Sequence, residues 1–201
     1  TFHADQKGRE LLVEQAVSAG AKVLDAGGGT GSTALLAAEK VSETGKVTIL
    51  DLSRGMLEVA RKRAVQAKLE NRMEFLEGDI DNPPFPDESF DVVLSTYSAC
   101  PLGDPAAGAL TLLRLVKPRG LLGMAHSAAP KGFLATAIGK CVESIAWRFP
   151  SISLGCRNVD VLPALLKQGA TLKFEKRIGM PYLPFEVFIV IKNNQPGNNG
   201  L

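Results

Sequence analysis

The sequence has few of the residues from which disulfide frameworks and metal sites are built. Its 201 residues include three cysteines and two histidines. Cys100, Cys141 and Cys156 are scattered and odd in number, and none of them has the C-x-x-C spacing of zinc and redox sites. This argues against a disulfide scaffold and predicts no metal site, and the cysteines are interpreted as small buried apolar residues.

Long hydrophobic runs and blocks of like charge are also missing. No apolar run reaches the roughly 18 residues of a membrane span, and no signal peptide is visible. Lysine and arginine number 23 and aspartate and glutamate 21, giving a net charge of +2 without a basic cluster. This pattern disfavours a nucleic-acid partner, and we expect a cytoplasmic protein without a transmembrane segment. It indicates nothing about oligomeric state.

The chain does contain enough apolar sequence for one core. Hydrophobic residues make up 45% of it, and no repeat or linker divides it, so a single domain over residues 1–192 is predicted. Residues 193–201 are rich in asparagine and glycine and are expected to form a flexible tail. The chain starts without methionine, and only 21 residues precede the first strand pattern. We therefore expect that an upstream lid segment is absent from this sequence.

Strand and helix patterns alternate along the chain, which predicts an α/β fold with a parallel sheet covered by helices on both faces. The predicted strands are Lys22–Ala26, Lys46–Asp51, Met73–Leu76, Phe90–Ser95, Leu121–Ala125, Leu172–Arg177 and Phe185–Ile191. The predicted helices are Asp5–Ser18, Ser32–Lys40, one starting at Ser53, Ala106–Val116, Lys131–Phe149 and Val159–Gln168.

The run VLDAGGGTG, residues 23–31, places a glycine turn between the first strand and its helix. Glycine permits positive φ and lets the backbone approach a ligand closely, so this turn predicts a binding site. Gly27, Gly29 and Gly31 give G-x-G-x-G rather than the G-x-G-x-x-G of dinucleotide sites. Asp25, two residues before the turn, would attract an ammonium or sulfonium and repel a diphosphate.

A second acidic residue narrows the choice of ligand further. Asp51 ends the second strand, twenty residues after Gly31, and an acid at that offset binds a ribose diol. A ligand with a ribose and no phosphate fits S-adenosylmethionine better than NAD. The glycine spacing therefore disfavours an NAD-dependent reductase.

Four segments together resemble the class I S-adenosylmethionine-dependent methyltransferases, nearest the ubiquinone and menaquinone C-methyltransferase branch. They are VLDAGGGTG (23–31), ILDLSRGML (49–57), FLEGDIDNPPFPDESFDVV (75–93) and LLRLVKPRGLLGMAH (112–126). The resemblance implies a Rossmann-like three-layer sandwich with a seven-stranded, mostly parallel sheet of order 3-2-1-4-5-7-6. It places the cofactor, S-adenosylmethionine, at the carboxyl ends of the strands.

The resemblance also implies roles for individual residues. Asp51 would bind the ribose hydroxyls, and Leu52 and Met56 would flank the adenine or else be plain core residues. Asp79, which follows Gly78, would meet the adenine amino group or else cap its own turn, and the Ile80 N–H would reach the ring. The methionine end would be held by Asp25, by the backbone of Ala26, Gly27, Gly28 and Gly29, and by carbonyls near Ser95 and Thr96; Gly31 closes the turn.

Two residues are candidates for catalysis. Tyr97 follows the fourth strand and His126 ends the fifth, so either could accept a proton or orient an acceptor. A structural role is the alternative for each. A sulfonium is already activated for methyl transfer, so a general base is needed only when the acceptor must first lose a proton.

Two more specific acceptors are disfavoured. Asn82-Pro83-Pro84-Phe85 matches the N-P-P-[FY] motif of enzymes that methylate amino groups of bases or glutamine. In those enzymes the motif follows the fourth strand, whereas here it precedes that strand. Arsenite methylation is suggested by the three cysteines, but their positions do not match that family.

The region after Ser127 is where an acceptor pocket would be built. The predicted helix Lys131–Phe149 has one broad apolar face, which could cap a pocket, lie on a membrane surface or pack in the core. Trp147-Arg148-Phe149-Pro150 resembles a stretch of quinone methyltransferases, although residues 151–157 depart from it. We predict methyl transfer to a small apolar or amphipathic molecule, with a non-catalytic S-adenosylmethionine-binding scaffold as the alternative.

Overall fold

The computed structural model describes residues 2–98, 102–132 and 158–194. The strands are β1 Lys22–Ala26, β2 Lys46–Asp51, β3 Met73–Glu77, β4 Phe90–Thr96, β5 Val116–Ser127, β6 Thr171–Met180 and β7 Leu183–Ile191. The helices are α1 Phe2–Ala16, α2 Ser32–Lys40, α3 Arg54–Gln66, α4 Pro105–Leu115 and α5 Leu162–Lys167, with a 3-10 turn at Glu70–Arg72.

The strands form one seven-stranded sheet in the order β3-β2-β1-β4-β5-β7-β6. The pairs among β1 to β5 are parallel, whereas β7 is antiparallel to both β5 and β6. The predicted fold class and strand order are confirmed. Because β1, β2, β3 and β4 run in parallel, the loops that follow them meet at one edge of the sheet, where ligands of such sheets bind.

Helices cover both faces of the sheet, since successive residues of each strand point to opposite sides. On β1, Val23 belongs to the apolar core under α1, α2 and α3, and Leu24 belongs to the core under α4 and α5. Both side chains are fully buried. Burial of one such side chain stabilises the fold by roughly 1.5–3 kcal/mol, so the two cores fix the sheet between its helix layers.

Polar caps start the two helices that follow β2 and β4. The Ser53 hydroxyl accepts a hydrogen bond from the Met56 N–H at 3.3 Å, at the start of α3. The Asp104 carboxylate accepts from the N–H groups of Ala106 and Ala107, each at 3.0 Å, at the start of α4. These caps satisfy donors that have no partner within the helix.

Strand β5 differs most from the sequence prediction. It begins at Val116 rather than Leu121, because residues 117–120, predicted as a connection, form a bulged extension of the strand. Val116 pairs with Phe90 and Leu121 pairs with Val92, so the register shifts between these pairs. A proline cannot donate to a ladder, and Pro118 therefore stands within the bulge.

Several other boundaries also differ, and two predictions cannot be compared. Helix α1 covers Phe2–Ala16 instead of Asp5–Ser18, and β6 and β7 extend towards each other to form a hairpin. Most of the predicted helix Lys131–Phe149, the 147–157 stretch, the three cysteines and most of the predicted tail lie outside the described residues. Within the residues that are described, no helix is long and apolar enough to cross a membrane.

Candidate functional site

The glycine turn after β1 is packed tightly on one side and open on the other. Gly27, Gly29 and Gly31 have φ values of 68°, 54° and 80°, which favour glycine. A Cβ on Gly27 would overlap Ser98, and one on Gly28 would lie 2.8 Å from Asp25 Oδ2. At Gly29 the nearest atom would be Met56 Sδ, at 3.5 Å. The turn is therefore a cradle that faces the end of β2 and the start of α3.

Asp51 is fixed beside the open side of this cradle. Its Oδ2 accepts a hydrogen bond from the Gly29 N–H at 2.8 Å, and its Oδ1 accepts from the Ser53 N–H at 2.8 Å. A carboxylate offers about four lone-pair positions, so these two bonds orient Asp51 without exhausting it. The half-buried carboxylate can still accept two hydrogen bonds from hydroxyl groups of a ligand.

Leu52 and Met56 are exposed by 68% and 48%, which excludes the interpretation of these residues as core. They present apolar surface next to Asp51. Ile80 is buried at the base of the cradle, where its Cδ1 would lie 2.8 Å from a Cβ on Gly27. This combination of apolar groups suits a flat aromatic ring more than it suits a charged group.

Asp79 and Gly78 lie at the end of β3, beside the same edge. The Gly78 N–H donates to the Asp51 carbonyl at 3.1 Å, which ties the ends of β2 and β3 together. Asp79 is exposed, and its Oδ1 accepts from the Asp81 N–H at 2.9 Å. The turn-capping role considered for Asp79 is thus observed, and its role towards adenine stays a prediction.

Asp25 has the opposite environment from Asp51. It is fully buried, and among the described residues neither carboxylate oxygen has a hydrogen-bond partner of ordinary geometry. Burial raises the pKa of Asp25 to about 7, and the nearby charge of Asp51 adds to the rise. The Arg9 charge and the Ala34 backbone N–H, which lies outside ordinary bonding geometry, oppose it. A cation placed here would find an unpaired carboxylate.

The end of β4 is joined to the end of β1 by Ser98, which the sequence analysis missed. Ser98 Oγ donates to the Ala26 carbonyl at 3.0 Å and lies 2.8 Å from Ser95 Oγ. Thr96 Oγ1 lies 2.7 Å from Thr33 Oγ1 on α2. These contacts set the distance between β1 and β4, where the methionine end was predicted. The sequence signal that could have identified Ser98 is its position three residues after Ser95, just beyond the same strand.

Tyr97 is positioned by helix α1. The backbone of Tyr97 has a φ of 60°, and its hydroxyl donates a hydrogen bond to the Asp5 carbonyl at 3.2 Å. Its ring packs edge-on against Phe185, with centroids 5.2 Å apart, and the Arg9 guanidinium lies 4.8 Å from the ring centroid. Sequence reasoning did not single out Arg9, because nothing in α1 signals that its side chain contacts Tyr97.

His126 lies on the other face of the sheet. Its ring packs edge-on against Phe188, a member of the core under α4 and α5, with centroids 5.7 Å apart. Tyr97 packs against the opposite core, so the structure does not bring the two candidates together. His126 Nδ1 lies 3.1 Å from the Ser127 carbonyl, and Nε2 is buried without a partner among the described residues. Burial lowers the pKa of His126 and favours the neutral ring.

Comparisons with known proteins agree with this geometry. Residues 23–120 match the family described as a methyltransferase domain. A relative, the ubiquinone/menaquinone biosynthesis C-methyltransferase UbiE of Azotobacter vinelandii, is 30% identical over 133 residues, which are 66% of this chain and 51% of the relative. These matches support a class I S-adenosylmethionine-dependent methyltransferase. The chain spans about half the length of the curated relatives it matches.

Solved structures share the fold of this methyltransferase domain. A SAM-dependent methyltransferase from Aquifex aeolicus aligns with a TM-score of 0.67 and 21% identity, over 92% of this chain and 89% of that one. The [4+2]-cyclase SpnF aligns with a TM-score of 0.74 and 18% identity, over 94% of this chain and 81% of that one. At these identities the likeness shows the fold alone.

The residues of the methyltransferase domain fit S-adenosylmethionine, the cofactor of this family. The cofactor carries two positive groups near its methionine end and a neutral ribose. The cradle brings an unpaired buried carboxylate, Asp25, to one side and an oriented carboxylate, Asp51, to the other. A diphosphate would instead face two acidic groups, which repel it.

Proposed function

We propose that this protein transfers the methyl group of S-adenosylmethionine to a small apolar or amphipathic acceptor. The observation that carries the proposal is the contrast at the glycine cradle. Asp51 is oriented by the Gly29 N–H at 2.8 Å, while Asp25 is buried without a hydrogen-bond partner among the described residues. An oriented acceptor for a diol and an unpaired acceptor for a cation therefore lie beside the same glycine turn.

The cofactor would extend along the edge from β3 to β4. Asp51 would accept the two ribose hydroxyl protons in charge-assisted hydrogen bonds. Leu52, Met56 and Ile80 would enclose the adenine, beside Gly78 and Asp79. Towards β4, Asp25 would pair with the ammonium, and the carbonyls near Ser95 and Thr96 would share it. The backbone of Ala26 to Gly29 would lie against the methionine chain, with Gly31 closing the turn.

When bound, S-adenosylmethionine supplies a methyl group activated by a positive sulfonium. The residues of this chain then contribute mainly position. Holding the acceptor in line with the methyl group and excluding water can lower the barrier by several kcal/mol. The cradle and its two carboxylates would fix the donor, and residues beyond β4 and β5 would fix the acceptor.

Of the two catalytic candidates, His126 has the side chain better suited to accept a proton. The Ser127 carbonyl can only accept a hydrogen bond, so Nδ1 carries the proton and Nε2 presents its lone pair. A neutral ring with a free lone pair can accept a proton from an acidic acceptor. Tyr97 donates its hydroxyl proton to the Asp5 carbonyl, which supports a role in positioning α1 alongside the predicted catalytic role.

Two observations support an apolar acceptor. The relatives named as ubiquinone/menaquinone C-methyltransferases suggest a quinone-like ring. In addition, the β6–β7 hairpin exposes Met180 by 50% and Leu183 by 38%. Strand β6 is antiparallel to β7, and β7 is antiparallel to β5, so this apolar tip lies at the same edge as the cradle.

The test is turnover with methyl-labelled S-adenosylmethionine. Purified protein is incubated with demethylated quinones, phospholipid headgroups and small thiols, and products are read by mass spectrometry for one added labelled methyl group. The proposal expects a labelled quinone-like or other apolar product. Thermal shift with S-adenosylhomocysteine and with NAD runs in parallel. Stabilisation by S-adenosylhomocysteine without turnover of any acceptor would indicate a binding scaffold. Stabilisation by NAD alone would contradict the assignment of S-adenosylmethionine as the cofactor.

A further inference from the structure

The sheet face under α4 and α5 ends in a row of titratable and charged residues. Met124 pairs with Phe188 across β5 and β7, and both belong to the apolar core on this face. Two residues further along β5, His126 pairs with Glu186, and Glu186 pairs with Arg177 of β6. Residues two apart on a strand share a face, so these three side chains lie in one row. The row is at the carboxyl end of β5, on the edge that carries the cradle.

Glu186 is a buried acid in an otherwise apolar part of β7. Its side chain is 7% exposed, and the next four residues, Val187–Val190, are apolar and fully buried. Glutamate is seldom buried without a partner, and Arg177 supplies one. Arg177 Nε and Nη2 lie 3.1 Å and 3.0 Å from Glu186 Oε1, and Nη1 donates to the Ala129 carbonyl at 3.0 Å. The guanidinium is therefore held at both ends, and it fixes the orientation of the Glu186 carboxylate.

The ion pair of Glu186 and Arg177 presents its negative end to His126. A buried ion pair adds little to the stability of a fold, because the cost of removing both charges from water offsets their attraction. Its effect on a neighbouring group depends on distance. Adjacent strands lie roughly 5 Å apart, so Glu186, one strand from His126, is about half as far from it as Arg177. Since Coulomb energy falls with distance, the charge of Glu186 outweighs that of Arg177 at the imidazole ring.

Four groups act on the His126 ring besides its burial. Burial lowers the pKa of His126, and the Ser127 carbonyl, Glu186 and Asp160, which precedes α5, oppose this effect. The positive charge of Arg177 acts in the same direction as burial. Nε2 has no hydrogen-bond partner among the described residues, so Glu186 acts on the ring by its charge and not through a bond to this nitrogen. Glu186 therefore reduces the cost of charging a ring that burial keeps neutral.

We propose that Glu186, with its carboxylate oriented by Arg177, is a positioning residue that stabilises the imidazolium formed when His126 Nε2 accepts a proton from the methyl acceptor. The inference rests on the proposed function, because it requires an acceptor that loses a proton. As the acceptor bonds to the methyl carbon, the carbon–sulfur bond breaks and its electron pair returns to sulfur. The proton that the acceptor loses passes to Nε2, from which water removes it. An acceptor with an acidic O–H or N–H group fits this step.

The experiment measures the titration of His126 and the methyl transfer separately. The chain has two histidines, so His3→Gln assigns their imidazole NMR signals in the ligand-free protein. Spectra are recorded as a function of pH for the wild type, Glu186→Gln and Arg177→Met. The kcat is measured over the same pH range with labelled S-adenosylmethionine and an acceptor that the wild type methylates in the panel above. Glu175→Gln, at an exposed acid of β6, is the matched control.

The two variants should move the titration of His126 in opposite directions. Glu186→Gln removes the nearer negative charge, so the midpoint should fall by about one pH unit and kcat at pH 7 by about tenfold. Arg177→Met removes the opposing positive charge, so the midpoint should rise. Glu175→Gln should change neither quantity. Unchanged midpoints, or midpoints that move in the same direction in both variants, would overturn the inference. If Glu186→Gln fails to fold, an unchanged midpoint in Arg177→Met overturns it.

A second background tests whether Glu186 acts through His126. In His126→Ala, the addition of Glu186→Gln should cause no further loss of kcat, and the dissociation constant of S-adenosylhomocysteine should stay within about twofold. A further tenfold loss would contradict the role of Glu186. The NMR titration needs neither cofactor nor acceptor. Opposite shifts of the midpoint without turnover of any acceptor would therefore contradict the proposed function and leave the coupling of Glu186 to His126 intact.

Discussion

The ends of β1 and β2 carry the same residue type in contrasting environments. At the end of β2, Asp51 is half-buried, and each carboxylate oxygen accepts a backbone N–H at 2.8 Å. Near the end of β1, Asp25 is fully buried with no partner among the described residues for either oxygen. The backbone orients the carboxylate of Asp51, whereas both oxygens of Asp25 keep their hydrogen-bonding capacity. The comparison teaches that neighbouring strand ends can hold the same residue type in opposite physical states, and under the proposed function the two would bind a ligand by different means.

The largest effect is expected at the organised end. Asp51→Ala removes the proposed acceptor for both ribose hydroxyls and leaves the Gly29 N–H without its partner. Each lost charged hydrogen bond costs about 1.5–3 kcal/mol, so S-adenosylhomocysteine affinity should fall by about a hundredfold or more. Calorimetry measures the loss, with the exposed Glu58→Ala on α3 as control. An affinity within about threefold of the wild type would refute the ribose role.

His126 resembles Asp25 in having a buried polar atom without a partner in the described part of the chain. If Nε2 takes a proton from the acceptor, His126→Ala should lower kcat by about a hundredfold. The S-adenosylhomocysteine dissociation constant should stay within about twofold, because His126 lies on the face opposite Tyr97. Steady-state kinetics with calorimetry separates the two quantities. Unchanged kcat would reduce His126 to a structural residue.

A smaller loss is expected at the unsatisfied end. Asp25→Asn keeps the shape of the side chain and removes the charge that pairs with the ligand ammonium. S-adenosylhomocysteine affinity at pH 8 should fall by about tenfold, while 5′-methylthioadenosine, which lacks the amino acid, should bind as before. Calorimetry with both ligands makes the comparison. Equal losses for the two would mean that Asp25 shapes the turn and does not read the ammonium.

The smallest effect concerns the ligand-free protein and has the opposite sign. The folded-state pKa of Asp25 is about 7, above the ordinary value of 3.8. Between these values the folded protein retains a proton that the unfolded chain has released, so Asp25 makes stability fall as pH rises towards 7. Asp25→Asn avoids this loss, and its Tm relative to the wild type should be about 5 °C higher at pH 8 than at pH 5.

Thermal unfolding at the two pH values, without ligand, checks this expectation. Asp87→Asn, at an exposed residue paired with Arg114, serves as the matched control for loss of a carboxylate. A Tm difference between Asp25→Asn and the wild type that does not change from pH 5 to pH 8 would show that Asp25 is not held protonated by burial.

Much of the fold could be predicted because its signals are local. The alternation of strand and helix patterns and the family resemblance gave the strand order 3-2-1-4-5-7-6, which is confirmed. The predicted start of β5 at Leu121 was wrong. Residues 117–120 have the composition of a turn, but they pair as a strand because of contacts with residues that are distant in the chain. One of these is the bond from the Arg119 N–H to the Lys192 carbonyl at 2.8 Å.

The convergence of the candidate residues on one edge of the sheet could be predicted, whereas their burial and hydrogen bonding could not. Parallel strands bring their carboxyl ends to one edge, so strand order is enough to place the glycine turn, Asp51 and Asp79 together. Whether Leu52 and Met56 are core residues could be decided only from their exposure in the structure. The contacts of Ser98 and Arg9 could not be predicted, because they depend on how α1 and the loop after β4 pack.

The sequence by itself determined the alternation of strands and helices, the glycine cradle and the identity of the two acids, because hydrophobic periodicity and backbone freedom act between near neighbours in the chain. The strand order came from the family resemblance. Tertiary structure alone decided that Asp25 is buried and unpaired while Asp51 is held by two N–H groups. It also decided that Arg9, on a helix at the start of the chain, stacks on the ring of Tyr97. Burial and charge depend on which distant segments exclude water from a group, and only the packed fold fixes that.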